Sequence, residues 1–277
     1  MFKLAMIQML VKGRNKSVNL NRSRFLIDEA AAKGAKLLLL PEAFDLGWSH
    51  PVSVTEASTI PDGEVCMVLR ESARYNDVYI CAGLTEKAGN QVFNSAVIIN
   101  PAGKVLIKHR KLNELSIGHQ YYAQGDRLNV CHTELGTLGL MICADGFAKN
   151  EVLSRSLCYM GADIILSPSS WALPADHIPD KGQYQSCVDE WRDVYQPVAE
   201  EYSVFIVGLS NVGPITAGPW AGRNCIGCSL LIGPDGKEIL QGPYGSDAET
   251  IMYAEIEPVQ RPARGTGWVD RNIDDNK

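Results

Sequence analysis

Three segments of this 277-residue chain place chemically reactive residue types beside apolar runs. Glu42 follows the run Leu37–Leu40, and Cys143 ends an apolar stretch that begins at Leu138. Four basic residues, 108–111, follow a third stretch. Functional groups of α/β sheets collect at the carboxyl ends of strands. A carboxylate, a cation and a thiol are the types needed for a general base, an oxyanion partner and a nucleophile.

Glu42 comes directly after a predicted buried strand, which puts its carboxylate at the mouth of the sheet. Partial loss of solvent raises a carboxyl pKa toward the range that suits a general base. A helix N-cap or a surface ion pair would explain the same residue, and the sequence leaves both interpretations open.

The basic run Lys108-His109-Arg110-Lys111 is typical of a solvated loop, because charged side chains are mostly exposed. The functional alternative turns one of the four inward to hold a developing oxyanion.

Cys143 ends a strand shortly before a predicted helix, which is the topology of a nucleophile on a strand-to-helix turn. Backbone N–H groups at such a turn could lower the thiol pKa and bind an oxyanion. A simple buried thiol is the alternative. Asp145 favours the functional interpretation, because a strand core does not normally end in a Cys-x-Asp pair.

Strands and helices alternate along the whole chain, and the two halves repeat the order. The segment GAKLLLLPEAF (34–44) parallels GADIILSPSSW (161–171), and INPAGKVL (99–106) parallels IGPDGKEI (232–239). We therefore predict an α/β fold, an α-β-β-α sandwich of two packed sheets with helices outside and two similar halves. Residues 1–257 form one domain in this prediction. The tail 258–277 is expected to dock on a neighbouring subunit or to be mobile.

Composition and charge argue against several classes of protein. A net charge of −6 argues against nucleic-acid binding, and no apolar run reaches a membrane span of about 20 residues. No export signal is predicted, so we expect a cytoplasmic protein whose eight cysteines are mostly buried thiols. The single C-x-x-C, Cys225 to Cys228, lies within a predicted strand, 225–232, and lacks a second ligand pair for zinc. We predict no metal, nucleotide or other cofactor.

The three reactive segments, in this order and spacing, resemble the nitrilase superfamily of carbon–nitrogen hydrolases. LLLLPEAF, KHRKLNE and GLMICADGF are similar to the segments that carry the family's glutamate, lysine and cysteine. GADIILSPSSW and GCSLLIGPDGKEI are similar to the strand after the nucleophile helix and to a late hairpin. The resemblance covers nearly the whole chain.

This resemblance implies that Glu42 is the general base, Lys111 the electrostatic stabiliser and Cys143 the nucleophile. It also implies an α-β-β-α fold that assembles into a homodimer or larger homo-oligomer. The Ala144 N–H would face the oxyanion, and Ala144 stands where the family usually has an aromatic residue. Glu114 is the nearest candidate for a second glutamate; if Glu114 points away, His119 would occupy that space.

The resemblance places a substrate pocket near two aromatic residues, Trp171 and its counterpart Phe44. A core position is the alternative for Trp171. Trp48, Tyr121 and Tyr122 are weaker candidates for a lid.

The predicted function is cysteine-dependent hydrolysis of a small linear amide or N-carbamoyl compound through a thioester, with release of amine or ammonia. Nitrile hydrolysis is the alternative within the same triad. A non-catalytic binding protein is the alternative of another class. Recognition of a carboxylate-bearing substrate would need a cation, for which Arg192 and Arg223 are the candidates.

Overall fold

Strands and helices alternate along the first half of the chain, as the sequence pattern predicts. The computed structural model describes residues 1–176 and 188–259. The elements of the first half are, in chain order, β1 (Phe2–Gln8), α1 (Lys16–Ala32), β2 (Ala35–Leu39), α2 (Ser53–Glu56), α3 (Glu64–Asn76), β3 (Tyr79–Ala88), β4 (Gln91–Ile99) and β5 (Val105–Arg110).

The second half repeats this alternation and adds short strands. Its elements are β6 (Val130–Thr133), β7 (Gly136–Leu140), α4 (Val152–Tyr159), β8 (Ile164–Ser169), β9 (Ala172–Pro174), α5 (Asp189–Tyr202), β10 (Phe205–Ser210), β11 (Val212–Pro214), β12 (Arg223–Ile226), β13 (Leu230–Ile232), β14 (Glu238–Gln241) and β15 (Thr250–Ile256).

Two six-stranded mixed sheets carry the fold, in the orders β15-β1-β2-β3-β4-β5 and β14-β13-β10-β8-β7-β6. In the first sheet β1, β2 and β3 are parallel, and β4 and β5 follow antiparallel. In the second sheet β7, β8 and β10 are parallel, and β13 and β14 follow antiparallel. The two halves therefore have the same topology, and the predicted internal similarity is confirmed.

Alternating side chains of each strand serve two different cores. In β1, Leu4 and Met6 face the second sheet, where they join Leu140 and Leu166 in one cluster. Ile7 and its neighbours on the other face pack with α1 and α3. A third cluster lies between the second sheet and the helices α4 and α5. Helices thus cover both outer faces, which confirms the predicted α-β-β-α sandwich.

The predicted continuous strand over 225–232 is wrong. Gly227 and Cys228 have φ of +70° and +56°, so the backbone turns between β12 and β13. β12 joins β9 and β11 in a small three-stranded sheet that the sequence pattern did not predict. Of the tail 258–277 only residues 258 and 259 are described, so its docking remains a prediction, as does the single-domain boundary.

Candidate active site

Glu42 is held at the end of β2 by close backbone contacts with β3. The Gly83 N–H donates to the Pro41 carbonyl (3.1 Å), and the Phe44 N–H donates to the Gly83 carbonyl (3.0 Å). A Cβ atom on Gly83 would lie 2.6 Å from Glu42 Cα, so this approach requires glycine. Glu42 is 1% exposed, which rules out the surface ion pair that the sequence left open.

The Glu42 carboxylate belongs to a buried network of four side chains. Its Oε1 accepts hydrogen bonds from Lys111 Nζ (2.8 Å) and from Asn94 Nδ2 (2.6 Å). Asn94 Nδ2 also donates to Glu114 Oε2 (2.9 Å), and Lys111 Nζ lies 3.4 Å from Glu114 Oε1. Glu114 therefore points toward Glu42 and Lys111, so the condition under which His119 would replace it is not met.

Burial and mutual charge set the protonation of this network. Burial raises the pKa of Glu42; Lys111 opposes this rise and the neighbouring Glu114 adds to it. Burial alone would lower the pKa of Lys111, but the carboxylates of Glu42 and Glu114 hold that pKa well above its ordinary value. Lys111 consequently keeps its proton at neutral pH, while Glu42 is poised to accept one.

The basic run is not a solvated loop, because most of it belongs to β5. Lys108 and Arg110 lie on one side, and both donate to the buried carboxylate of Glu86. His109 is buried on the other side, and Lys111, the next residue of that parity, is 2% exposed. Alternation along the strand selects Lys111 as the cation that turns inward.

Cys143 follows β7 on a turn with φ of +45°, a backbone conformation that is uncommon for a non-glycine residue. Burial, followed by the charge of Glu42, raises the pKa of the Cys143 thiol to about 12, while Lys111 and the Ser170 N–H act in the opposite direction. A backbone N–H group thus lowers this pKa as expected, but burial and the charge of Glu42 outweigh it in the resting site. A base is needed to remove the thiol proton.

Asp145 fixes the turn that carries Cys143. Its carboxylate accepts the N–H groups of Ile142 (2.9 Å), Leu112 (3.0 Å) and Asn113 (2.7 Å). His109 Nε2 lies 2.7 Å from Asp145 Oδ2, and both side chains are fully buried. The cysteine turn and the segment after Lys111 are thereby joined through one carboxylate.

One cavity of about 550 Å³ brings the reactive groups together. Five of the predicted site residues line it: Glu42, Lys111, Cys143, Ala144 and Trp171. The other lining residues are Trp48, Asn113, Leu115, Phe147, Ser170, Ala172, Leu173, Glu190 and Trp220. Glu114 stands behind Lys111, within the hydrogen-bonded network.

Phe44 and His119 do not line this cavity. Phe44 is completely buried in the core beneath α1 and α3, because the chain turns at Ala43 (φ +45°) and returns the next side chain to the helix-facing side. His119 is exposed, just beyond a short 3₁₀ turn. The predictions that these two residues bind substrate are corrected accordingly.

The three candidate lid residues differ in whether they line the cavity. Trp48 lines the cavity, with its ring 5.7 Å from Lys111 Nζ. Tyr121 and Tyr122 pack in the same cluster as Trp48, and the Tyr122 hydroxyl accepts the N–H of Ser49. They support the wall from behind.

The candidate carboxylate-binding cations also lie outside the lining. Arg192 pairs with Glu238 and Asp189 on α5 and its surroundings. The Arg223 guanidinium lies over the ring of Trp220, 4.4 Å from its centroid.

Sequence reasoning missed several residues of the site, above all Asn94. Asn94 sits within β4, whose sequence QVFNSAVII is otherwise mostly apolar. A polar residue inside such a run must be hydrogen-bonded when buried, and this signal could have identified it. Glu190 and Trp220 were also missed, because they are distant in sequence from the reactive segments. Phe147 and Ser170 were missed although they lie in the segments that carry Cys143 and Trp171.

The structure describes six cysteines besides Cys143. Five are buried and Cys131 is half-buried; Cys187 lies outside the described residues.

Within residues 1–176 and 188–259, no group of three His, Cys, Asp or Glu side chains is arranged to hold a metal ion. No helix in the same ranges is long and apolar enough to cross a membrane.

The fold, the buried Glu–Lys pair and the strand-end cysteine are accompanied by a sequence match to one family over most of the chain. The carbon–nitrogen hydrolase family profile matches residues 3–263, and the chain belongs to this family, the nitrilase superfamily. A nitrilase of Pyrococcus abyssi is 36% identical over 179 residues, which span 63% of this chain and 67% of the relative. An omega-amidase of Danio rerio is 27% identical over 267 residues, 92% of this chain and 88% of the relative.

Solved structures share the fold at lower identity. The NitN amidase of Nesterenkonia sp. AN1 superimposes with a TM-score of 0.78 at 19% identity, covering 93% of each chain. A carbon–nitrogen hydrolase of Helicobacter pylori G27 gives 0.78 at 22% identity, covering 92% of this chain and 89% of that chain.

Proposed function

We propose that this protein is a cysteine-dependent amidase that cleaves the C–N bond of a small linear amide or N-carbamoyl compound. The observation that carries the proposal is the Lys111–Glu42 ion pair of 2.8 Å, buried in the wall of the cavity that Cys143 also lines. Burying two charges costs free energy even when they are paired, so a buried ion pair is weak evidence for a purely stabilising role. A catalytic role explains the arrangement.

The first half-reaction forms a thioester. Glu42 accepts the proton of the Cys143 thiol as Sγ attacks the carbonyl carbon of the amide. The carbonyl oxygen becomes an oxyanion, which Lys111 and the Ala144 N–H stabilise. Glu42 then gives its proton to the amide nitrogen, the C–N bond breaks, and amine or ammonia leaves.

The second half-reaction restores the enzyme. Glu42 accepts a proton from a water molecule as the water oxygen attacks the thioester carbon. The C–S bond breaks, the carboxylic acid product leaves, and Cys143 regains its proton from Glu42. In total one amide and one water become one carboxylic acid and one amine or ammonia, so no other reactant is needed.

Glu114 and Asn94 hold the two catalytic groups in place. Asn94 donates to both glutamates, and Glu114 adds a second negative charge beside Lys111. This arrangement keeps Lys111 protonated through both half-reactions and fixes the Glu42 carboxylate, so that it can carry a proton without changing its rotamer.

The experiment measures ammonia release from linear amides, N-carbamoyl compounds and nitriles, with wild type, Cys143→Ala and the control Cys131→Ser. We expect wild type and Cys131→Ser to hydrolyse amides at equal rates and Cys143→Ala to be inactive while folded by circular dichroism. Turnover by Cys143→Ala would refute the nucleophile. Binding of amides without turnover by wild type would favour a non-catalytic binding protein.

Nitrile hydrolysis is the second candidate, and the nitrilase name of the Pyrococcus abyssi relative is the observation that favours it. The same thiol could attack a nitrile carbon. Faster ammonia release from a nitrile than from the matched amide would establish this alternative in the same assay.

We also propose that the protein forms a homodimer or a larger homo-oligomer, as the superfamily resemblance implies. Light scattering at micromolar concentration tests this directly. A monomer mass would contradict the proposal without affecting the assignment of the catalytic residues.

A further inference from the structure

Aromatic rings form much of the cavity wall outside the reactive groups. Trp48, Trp171, Trp220 and Phe147 all line it. Their rings contact one another in pairs: Trp48 meets Trp220 edge to face with centroids 5.0 Å apart, and Phe147 stacks on Trp171 at 5.7 Å. Such contacts fix the rings before any ligand arrives, and rigid aromatic walls bind flat apolar groups at low entropic cost.

The tryptophan wall is supported from outside the cavity as well. Trp171 packs edge to face on Trp191 of α5, with centroids 5.5 Å apart, and the backbone N–H of Trp171 donates to Ser210 Oγ (2.8 Å). Trp191 is itself buried. Trp171 therefore has little freedom to leave the cavity, and its ring is a permanent part of the binding surface.

Two carboxylates and one cation line the cavity, and a second cation, Arg223, lies over the ring of Trp220 outside the lining. Glu42 lies in the wall with Glu114 close behind, and exposed Glu190 lies among the lining residues. Of the described lining residues, Lys111 is the only cation, and both Glu42 and Glu114 already contact it. A carboxylate on a bound substrate would be repelled by these glutamates, whereas an uncharged group would not.

We infer that the acyl part of the substrate is an uncharged arylalkyl group, so that the preferred substrates are amides of the 3-phenylpropanamide type. This inference rests on the proposed amidase function and specifies its substrate class. The aromatic group lies between the Trp171 and Trp220 sides of the wall, and the amide reaches Cys143. Amides that end in a carboxylate are poor substrates because Glu190 and Glu42 repel them.

The experiment compares kcat/KM for four amides that differ in the group at the far end: propanamide, 3-phenylpropanamide, succinamate and 5-aminopentanamide. Wild type should prefer 3-phenylpropanamide over each of the others by at least about tenfold, which corresponds to about 1.4 kcal/mol. A preference for succinamate or for 5-aminopentanamide would overturn the inference, because a charge and not a ring would then determine selection.

Variants separate binding by the rings from general damage. Trp171→Leu should reduce the ratio of kcat/KM for 3-phenylpropanamide to kcat/KM for propanamide about tenfold, whatever its effect on the two separate values. Trp220→Leu, at a half-buried position, is the second variant in case the first does not fold. Equal losses on both amides in a folded variant would contradict a role of the ring in recognising the aryl group.

Two charge reversals on α5 form a matched pair that tests repulsion by Glu190. Glu190→Lys should raise kcat/KM for succinamate at least about fivefold, whereas Asp193→Lys, an exposed position on the same helix outside the lining, should not. An equal effect of both substitutions would contradict local repulsion by Glu190. If wild type hydrolyses none of the four amides, the proposed amidase function is refuted. Failure of the substrate inference is therefore distinguishable from failure of the proposed function.

Discussion

Strands β2 and β8 occupy equivalent places in the two halves, and each contains or precedes a proline, Pro41 or Pro168, but different chemistry follows. Glu42 comes after the first proline and joins a buried ion pair. Ser169 comes after the second, and its hydroxyl donates to the Ser167 carbonyl (3.2 Å). The two positions touch, since the Glu42 N–H donates to the Ser169 carbonyl (3.3 Å). The repeated topology supplies two strand ends, and the side chain decides which one is reactive.

Each of the two repeated segments carries an aromatic residue shortly after its proline. Phe44 and Trp171 hold matching positions in the repeated segments, yet Phe44 lies in the helix-facing core and Trp171 lines the cavity. The first segment contributes the Glu42 carboxylate, the proposed base, and the second contributes the ring of Trp171 to the cavity wall. The two halves have therefore diverged in what they offer to a shared cavity, while their strand order has stayed the same.

The largest expected difference between the equivalent positions is catalytic. Glu42→Gln should lower kcat/KM about 10²–10⁴-fold, because the amide cannot accept the thiol proton. Ser169→Ala removes only a local hydrogen bond and should change kcat/KM less than about threefold. Steady-state ammonia release on any amide that wild type hydrolyses checks both. Similar losses in the two variants would show that the strand ends act alike.

A smaller effect separates charge balance from chemistry within the first half. Lys111→Gln should cost about 10²–10³ in rate through loss of oxyanion stabilisation, and about 3–5 kcal/mol in stability because Glu42 and Glu114 are left beside each other. The double variant Lys111→Gln/Glu114→Gln should regain much of the stability but none of the rate. Urea denaturation and kinetics measure the two. Recovery of activity in the double variant would contradict a direct role of Lys111.

A third prediction compares how the ends of β7 and β1 are fixed. Burial alone would raise the pKa of Asp145, but the hydrogen bond and charge of His109 hold it below its ordinary value. The Asp145 carboxylate therefore contributes its full share of the free energy of unfolding above the unfolded pKa of about 3.9. This contribution is lost as the pH falls through the lower pKa of the folded state. Gln8 fixes the end of β1 through an uncharged amide, which donates to the Pro243 and Ala248 carbonyls.

Asp145→Asn should accordingly lose about 2–3 kcal/mol at pH 7 and show a shallower fall in stability below pH 4 than wild type. Gln8→Ala should lose about 1–3 kcal/mol with no change in the slope against pH. Urea midpoints between pH 3 and pH 7 give both curves. A wild-type slope in Asp145→Asn would contradict the pKa argument.

The sequence predicts the layers well because alternation in the strands and the repeated segments are local signals. β1 alternates Leu4 and Met6 with Ile7 on the opposite face, and this period-2 pattern defines a sheet buried on both sides. The break at Gly227 was hidden because glycine in an apolar run is also compatible with a continuous strand.

The site was predictable where a strand end carries a charged or nucleophilic residue, as at Glu42 and Cys143. It was not predictable where contact depends on distant elements, as for Asn94 with Glu114 or Trp220 with Trp48. Nor does local sequence fix the direction of the Cys143 pKa shift, because burial and the charge of Glu42 outweigh the backbone N–H group of Ser170.

The most direct test of the account is the rate at which each cysteine reacts with iodoacetamide, resolved by peptide mass spectrometry, in wild type and in Glu42→Gln. We predict that Cys143 is labelled first in wild type, because Glu42 accepts the thiol proton as the sulfur attacks the reagent. Loss of the Glu42 charge would by itself favour the thiolate, but loss of the base outweighs this, so Glu42→Gln should slow the labelling at least about tenfold while half-buried Cys131 reacts as before. Labelling of Cys143 no faster than Cys131 in wild type, or at an unchanged rate in Glu42→Gln, would contradict activation of Cys143 by Glu42.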